Sequence, residues 1–279
     1  MTVMKMENQG LTFFSRFVLA AMVLPLLFIA GVQLFVFSEQ TEIYFAWTFA
    51  SPFAAAFLGA GYWAAMAHTV IGLSAKAWVY VRSSLPAALT ATSLLTITTF
   101  LHLDKFHLVS PLLITRFVTW VWIAVYLAVP PILALAWILQ SRSLAGTLKG
   151  AHPLPIWMRA GFALLAVFAL LSGIGLFLRP EAMSGLWPVA LAPLAARAVS
   201  SWLCAFGVAC TTLIFENDIK FGAGTCASLF AFCILELIVV ARYPSAIDWA
   251  KPMAFAYLLF FALGVLVTGA NLLASLRTK

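Results

Sequence analysis

Charge is what this sequence has least of. Sixteen Lys and Arg and nine Asp and Glu make up 9% of 279 residues, while 64% are hydrophobic. Soluble domains carry about 25% charged and about 45–50% apolar residues. The shortfall excludes a water-soluble globule with an ordinary surface, and lipid is the solvent that fits. Signatures of common chemistry are missing as well. There is no Gly-rich phosphate loop, no Gly-x-Ser-x-Gly elbow, no His-Glu-x-x-His and no Cys-x-x-Cys. The four cysteines, Cys204, Cys210, Cys226 and Cys233, all fall inside apolar runs, at spacings that match no zinc or haem pattern. They read as small buried side chains. No Ser/Gly linker and no charged tail divides the chain, so residues 1–279 read as a single transmembrane domain. The net charge of +7 is scattered singly through the connectors. No basic stripe interleaved with aromatics marks a nucleic-acid surface. Membrane lipids are the expected partners of those cations.

What the sequence has in quantity is apolar runs near the 20 or so residues that cross a bilayer. Eight qualify: Phe17–Phe37, Pro52–Gly72, Leu85–Leu101, Phe117–Leu139, Arg159–Leu178, Val199–Phe215, Gly222–Val240 and Met253–Leu276. They predict an all-α polytopic bundle of eight spans. The first run is longer than the apolar core of a cleaved signal and continues without a small-x-small site, so it reads as a permanent span. With the N-terminus inside, ten basic residues are cytoplasmic: Lys5, Arg16, Lys76, Arg82, Arg142, Lys149, Arg159, Lys220, Arg277 and Lys279. Six are outside: Lys105, Arg116, Arg179, Arg197, Arg242 and Lys251. That bias places both termini in the cytoplasm. Trp47, Trp120, Trp122, Trp187, Trp202 and Trp249 then fall near the outer interface, and Trp78, Trp137 and Trp157 near the inner one. Amphipathic rings favour both levels.

The chain also resembles itself. Gly31, Leu34 and Phe35 stand 142 positions before Gly173, Leu176 and Phe177. Trp47 and Pro52 match Trp187 and Pro193, each pair opening the second span of its half. Ser93-Leu94 matches Ser228-Leu229, and Arg116 matches Lys251, at a spacing that has drifted to 135. Apolar helices look alike by composition, but the shared Trp-then-Pro entrance is harder to attribute to that. Two halves, 1–145 and 146–279, of four spans each would share one orientation and be related by an axis along the membrane normal. Small residues at Ala54 to Gly61 predict that the second span is central, because small side chains let backbones approach closely. Pro25 and Pro130-Pro131 predict kinks in the first and fourth spans.

Polar chemistry concentrates in two places. His102, Asp104 and His107 lie within six residues at the outer end of the third span, where they could hold a metal through imidazole and carboxylate or relay protons. The plainer reading is a solvated helix end. Glu236 has apolar neighbours on both sides in the seventh span. A charge there is costly in lipid, so the residue must face the protein interior and be paired or protonated. By the repeat Glu236 falls at the depth of His102. A single outer site for a small-molecule or ion ligand is therefore expected, lined by His102, Asp104, His107, Arg116, Arg197 and Glu236. His68 lies at the opposite leaflet, which rules out a shared haem with His102 or His107.

The segment from Trp47 and Pro52 through Ala55-Ala56-Phe57-Leu58-Gly59-Ala60-Gly61-Tyr62, with Leu101-His102-Leu103-Asp104-Lys105-Phe106-His107, resembles a group of uncharacterised bacterial inner-membrane proteins. The resemblance covers chiefly the first half. It implies a bacterial inner-membrane location and carries no activity. Three classes of function remain: a transporter-like protein, favoured by the repeat and Glu236; a membrane enzyme acting on a lipid or quinone through the His/Asp segment; and a structural or assembly subunit.

Overall fold

The computed structural model describes residues 20, 23–75, 78–80, 82–143 and 150–278, with residues 139–143 described as helical backbone only. Lys5, Arg16, Lys76, Lys149, Lys279 and the side chains of Trp78 and Arg142 lie outside that description, as does most of Phe17–Val23. Among the described residues the protein is all-helical, with one isolated bridge between Trp47 and Phe106 in place of any sheet.

Ten helices matter here. They are α1 (Leu24–Gly31, prolonged by a π-wound turn Val32–Val36), α2 (Thr41–Tyr44), α3 (Pro52–Ser74), α4 (Leu85–Leu101), α5 (Leu113–Ser143), α6 (Ile156–Leu178), α7 (Pro180–Leu186), α8 (Pro193–Glu216), α9 (Ala223–Arg242) and α10 (Pro252–Arg277). Seven of them, α3, α4, α5, α6, α8, α9 and α10, are long and apolar enough to cross a membrane. The described part of the first apolar run, Leu24–Val36, is shorter than a span.

Proline in the first turn opens α1, α3, α4, α7, α8 and α10. Its fixed φ suits that position and its missing N–H is one the helix leaves unpaired anyway. Pro25 lies in the first turn of the α-helical stretch α1, directly after π-wound Val23, and α5 runs on through Pro130 and Pro131. The helix α8 ends at Asn217, whose left-handed backbone (φ 47°, ψ 41°) is one that asparagine tolerates. This helix begins six residues before the predicted span. Arg197 interrupts the apolar run but not the backbone, and Pro193 sets the true start.

The helices α3 and α8 are the most enclosed. Every residue from Phe53 to Tyr62 is buried, as the run of small residues predicts. A Cβ at Gly59 would strike the α1 backbone at Leu34 and Phe35. One at Gly173 would meet Cys204 Sγ at 2.7 Å on α8. Around this centre α1 packs on α3, α6 on α8, α4 on α5, and α9 on α10. Two further contacts cross the chain midpoint: α3 lies against α9, and α8 against α4.

The tryptophans correct the expected aromatic belts. Trp120, Trp137, Trp157 and Trp249 are exposed, as interfacial rings should be. Trp47, Trp122 and Trp187 are buried in the core, and Trp202 is half-buried beside Tyr62, 5.2 Å between centroids. Position along the chain did not reveal which rings are exposed and which are packed inside the protein.

Candidate functional site

The six expected site residues fall into separate places. Glu236 lies on α9, six residues before its last residue, Arg242, about 9 Å along the helix at 1.5 Å per residue. Its exposure is 0%. The Tyr257 hydroxyl on α10 donates to Oε2 at 3.0 Å, and Oε1 has no partner among the described residues. No cation contacts the carboxyl among the described residues. Tyr257 is fixed by edge-on rings, Trp187 at 5.6 Å and Phe261 at 4.7 Å, and by Phe53 of α3 at 6.1 Å. Above this cluster Lys251 Nζ donates to the Trp187 carbonyl at 2.9 Å and stands 4.0 Å from Asp248.

The α10 face that carries Tyr257 continues inward through Phe261, Gly264, Thr268 and Asn271, all buried at helical four-and-three spacing. A Cβ on Gly264 would collide with Cys233 of α9, so this face is turned to α9. Neither amide atom of Asn271 has a partner among the described residues, although the side chain is fully buried. Unpaired buried polar atoms of this kind are where proteins hold internal water.

His102 and Arg197 do come together. Arg197, in the second turn of α8, donates from Nη1 to His102 Nε2 at 2.7 Å and from Nε to the Phe177 carbonyl, the end of α6, at 3.1 Å. The imidazole that accepts this bond carries its proton on Nδ1. Partial burial, and next the Arg197 charge, hold the His102 imidazole below its usual range. Among the described residues no carboxylate pairs with Arg197.

The remaining three serve elsewhere. His107 holds two loops together. Its Nε2 meets Thr48 Oγ1 at 3.0 Å, its Nδ1 meets the Phe45 carbonyl at 3.0 Å, and its backbone N–H donates to the Ala46 carbonyl. Asp104 is at the surface, bonded to Lys105 at 2.9 Å, and that bond draws its carboxyl below the usual range. Arg116 is exposed on α5. The metal set His102, Asp104 and His107 does not converge: among the described residues no group of three His, Cys, Asp or Glu is placed to hold an ion. A helix continued through the segment would have aligned Asp104 with His107. Instead α4 stops at Leu101, and a short 3-10 turn, Leu103–Lys105, redirects the chain.

Three tyrosines inside apolar runs were the overlooked signal. Tyr257 finds Glu236, and Tyr62 meets Tyr126 hydroxyl to hydroxyl at 2.5 Å. A buried phenol needs a partner, so each marks polar structure within a span. Near the start of α4 Arg82 makes a two-point bond to Glu216, Ser83 meets Thr225 at 2.7 Å, and His68 Nε2 meets Ser84 at 2.6 Å. Asp218 caps the turn into α9, accepting from Lys220 and Phe221 at 2.9 Å each.

No family model matches the chain, and neither the curated proteins nor the solved structures contain a match to it.

Proposed function

We propose that this chain is a transporter-like integral membrane protein of eight spans, built from two parallel four-helix repeats, with Glu236 as its proton-binding group. The observation that carries the reading is the fully buried carboxyl with one hydroxyl partner, one free oxygen and no countercharge in contact among the described residues. An ionised group held this way in the bilayer costs several kcal/mol, so such residues persist where protons or ions must be handled.

The repeat reading, over halves 1–145 and 146–279, rests on matched contacts. The second long helix of each half (α3, α8) packs on the third of the other (α9, α4). Trp47 meets Trp122 edge-on at 4.9 Å and 84°, and Trp187 meets Tyr257 at 5.6 Å and 88°. Trp122 and Tyr257 stand 135 positions apart, the spacing of Arg116 and Lys251. Each donates to a polar side chain on the preceding span, Thr99 at 2.9 Å and Glu236 at 3.0 Å. A short helix, α2 or α7, follows the first helix of each half. With α1 counted as a span, the even total supports both termini on one side, and the basic-residue bias favours the cytoplasm of a bacterial inner membrane.

In this reading the α3–α9 and α4–α8 crossings are the surfaces along which the halves shift, and Glu236 is reached from one side at a time. The enzyme alternative draws less support, because both ring nitrogens of His107 are engaged and Asp104 faces solvent. Proton entry into dye-loaded liposomes under an imposed potential tests the proposal. The protein is expected to speed entry over empty liposomes, and Glu236→Gln to return it to the empty rate with the fold intact. Equal rates for protein-containing and empty liposomes would refute it.

A further inference from the structure

We infer that the outer end of the α4–α8 crossing binds an anionic phospholipid, its phosphate on Arg197 and one acyl chain in the groove beneath. This rests on geometry independent of Glu236.

The groove, ≈ 410 Å³, lies where α4 and α6 flank α8. It is lined by Leu89, Ser93 and Leu94 of α4, Leu170 and Ile174 of α6, and Cys204 and Val208 of α8, among others. All three helices carry this lining up to the Arg197 cluster. On α8, Arg197, Cys204 and Val208 are spaced seven and four apart, one helix face. On α6, Leu170 and Ile174 lie seven and three residues before Phe177, whose carbonyl Arg197 holds. On α4, Leu94 lies eight residues before His102, the other Arg197 partner. The strip therefore runs from the guanidinium down into the bilayer. From Arg197 to Val208 it covers eleven residues, about 16 Å. That is about half of a 30 Å hydrocarbon core, the depth of one leaflet.

Charge selects the occupant. Arg197 spends Nε and one Nη1 hydrogen on neutral acceptors. Its Nη2 makes no hydrogen bond, and no carboxylate pairs with it, among the described residues. Arg179, at the end of α6, is exposed at the same level and likewise without an ion pair among the described residues. A planar guanidinium with free N–H groups takes phosphate oxygens two at a time. A guanidinium with spare donors above an apolar slot fits a lipid with net negative charge better than a zwitterionic one.

The test is native mass spectrometry of the detergent-purified protein with phosphatidylglycerol and phosphatidylcholine of identical acyl chains. The protein is expected to retain phosphatidylglycerol at least about five-fold over phosphatidylcholine, and Arg197→Gln to abolish the preference. Arg116→Gln, an exposed arginine away from the groove, should leave it unchanged. Ile174→Trp, at a half-exposed lipid-facing position that any fold should tolerate, fills the slot and should lower retention of both lipids. Equal retention by the unaltered protein, or a preference that survives both Arg197→Gln and Ile174→Trp, overturns the proposal. So does displacement of the lipid by millimolar inorganic phosphate, which would mark a free-anion site. A dimer abolished by Ile174→Trp without any lipid preference would make the groove a contact between copies.

Discussion

The two most extensive crossings between the front and back halves of the chain, α3 on α9 and α4 on α8, are built differently. Where α3 meets α9, side chains interlock. Phe57 and Phe232 meet edge-on at 5.4 Å and 82°, and Ser228 reaches across to the Ala64 carbonyl at 2.8 Å. The cation at the C-terminal end of α9, Arg242, holds the Phe35 and Val36 carbonyls while its guanidinium lies over Tyr243 at 4.9 Å. Where α4 meets α8, the polar bonds among the described residues fasten the ends, Thr212 to the Ser83 carbonyl at one and Arg197 to His102 at the other, with an open groove beside them. Phe35 and Phe177 are matched positions whose carbonyls both accept from an arginine, yet one arginine comes from the end of α9 and the other from the start of α8. One crossing lies beside an enclosed carboxyl and the other beside an open groove. Under the proposed repeat, similar halves share a scaffold and divide the tasks.

The contrast breaks most severely at its centre. Gly61 of α3 faces Trp202 of α8, and a Cβ there would lie 2.5 Å from the indole. Gly61→Leu must push α3 and α8 apart, with an expected loss of about 3 kcal/mol or more. Gly185→Leu is the control, since nothing lies within 4 Å of a Cβ there. Thermal unfolding in detergent should show a large drop for the first and little change for the second. Equal drops would mean that the α3–α8 contact is not close-packed. A finer comparison uses the matched aromatic donors. Thr99→Val strands the Trp122 indole N–H and Tyr257→Phe strands the Glu236 carboxyl, each expected to cost about 1–3 kcal/mol. Only Tyr257→Phe should also slow proton entry into liposomes. If Thr99→Val slows it equally, the two halves do not divide their roles as argued here.

Much of the helical architecture was legible because its cause is local. Apolar runs of bilayer length are readable residue by residue, and they marked the seven long helices to within about four positions, except that α8 starts six residues before its run. The small-residue run at Ala54 to Gly61 marked α3 as central for the same reason: close approach needs small side chains. The site was harder to read, because it depends on which faces meet. Glu236 stood out as a buried carboxyl, but its partner Tyr257 is 21 residues away on another helix. The reading that joined it to His102 assumed that equal depth means proximity. Arg197 was assigned to a loop because hydropathy falls at a charge, although the helix runs through it. Asp104 and His107 would share a face only if the helix continued past the predicted span end at Leu101, and α4 ends there. Turn geometry at a helix end, set by the loop that His107 fastens, is not contained in residue spacing.

The smallest expected effect comes from pH at the open crossing. His102 faces Arg197 from α8 and Asp104 and Lys105 from its own loop. Burial and Arg197 lower its folded value, so between that value and the ordinary value near 6.5 the unfolded chain binds the proton more readily. The contribution of His102 to stability is therefore complete above about pH 6.5 and is lost as pH falls through the folded value. Protonation also removes the Nε2 lone pair that accepts from Arg197 and sets two cations against each other. The imidazole is only partly buried, so solvent screens the effect, and acidification should lower the thermal midpoint by only about 1–2 °C through this residue. His102→Gln, which keeps an acceptor that cannot titrate, should remove that component of the acid slope. His107→Gln should not, because His107 bonds to Thr48 and Phe45 and touches no cation. An acid slope identical in all three proteins would show that the His102–Arg197 contact does not hold the outer end of the groove.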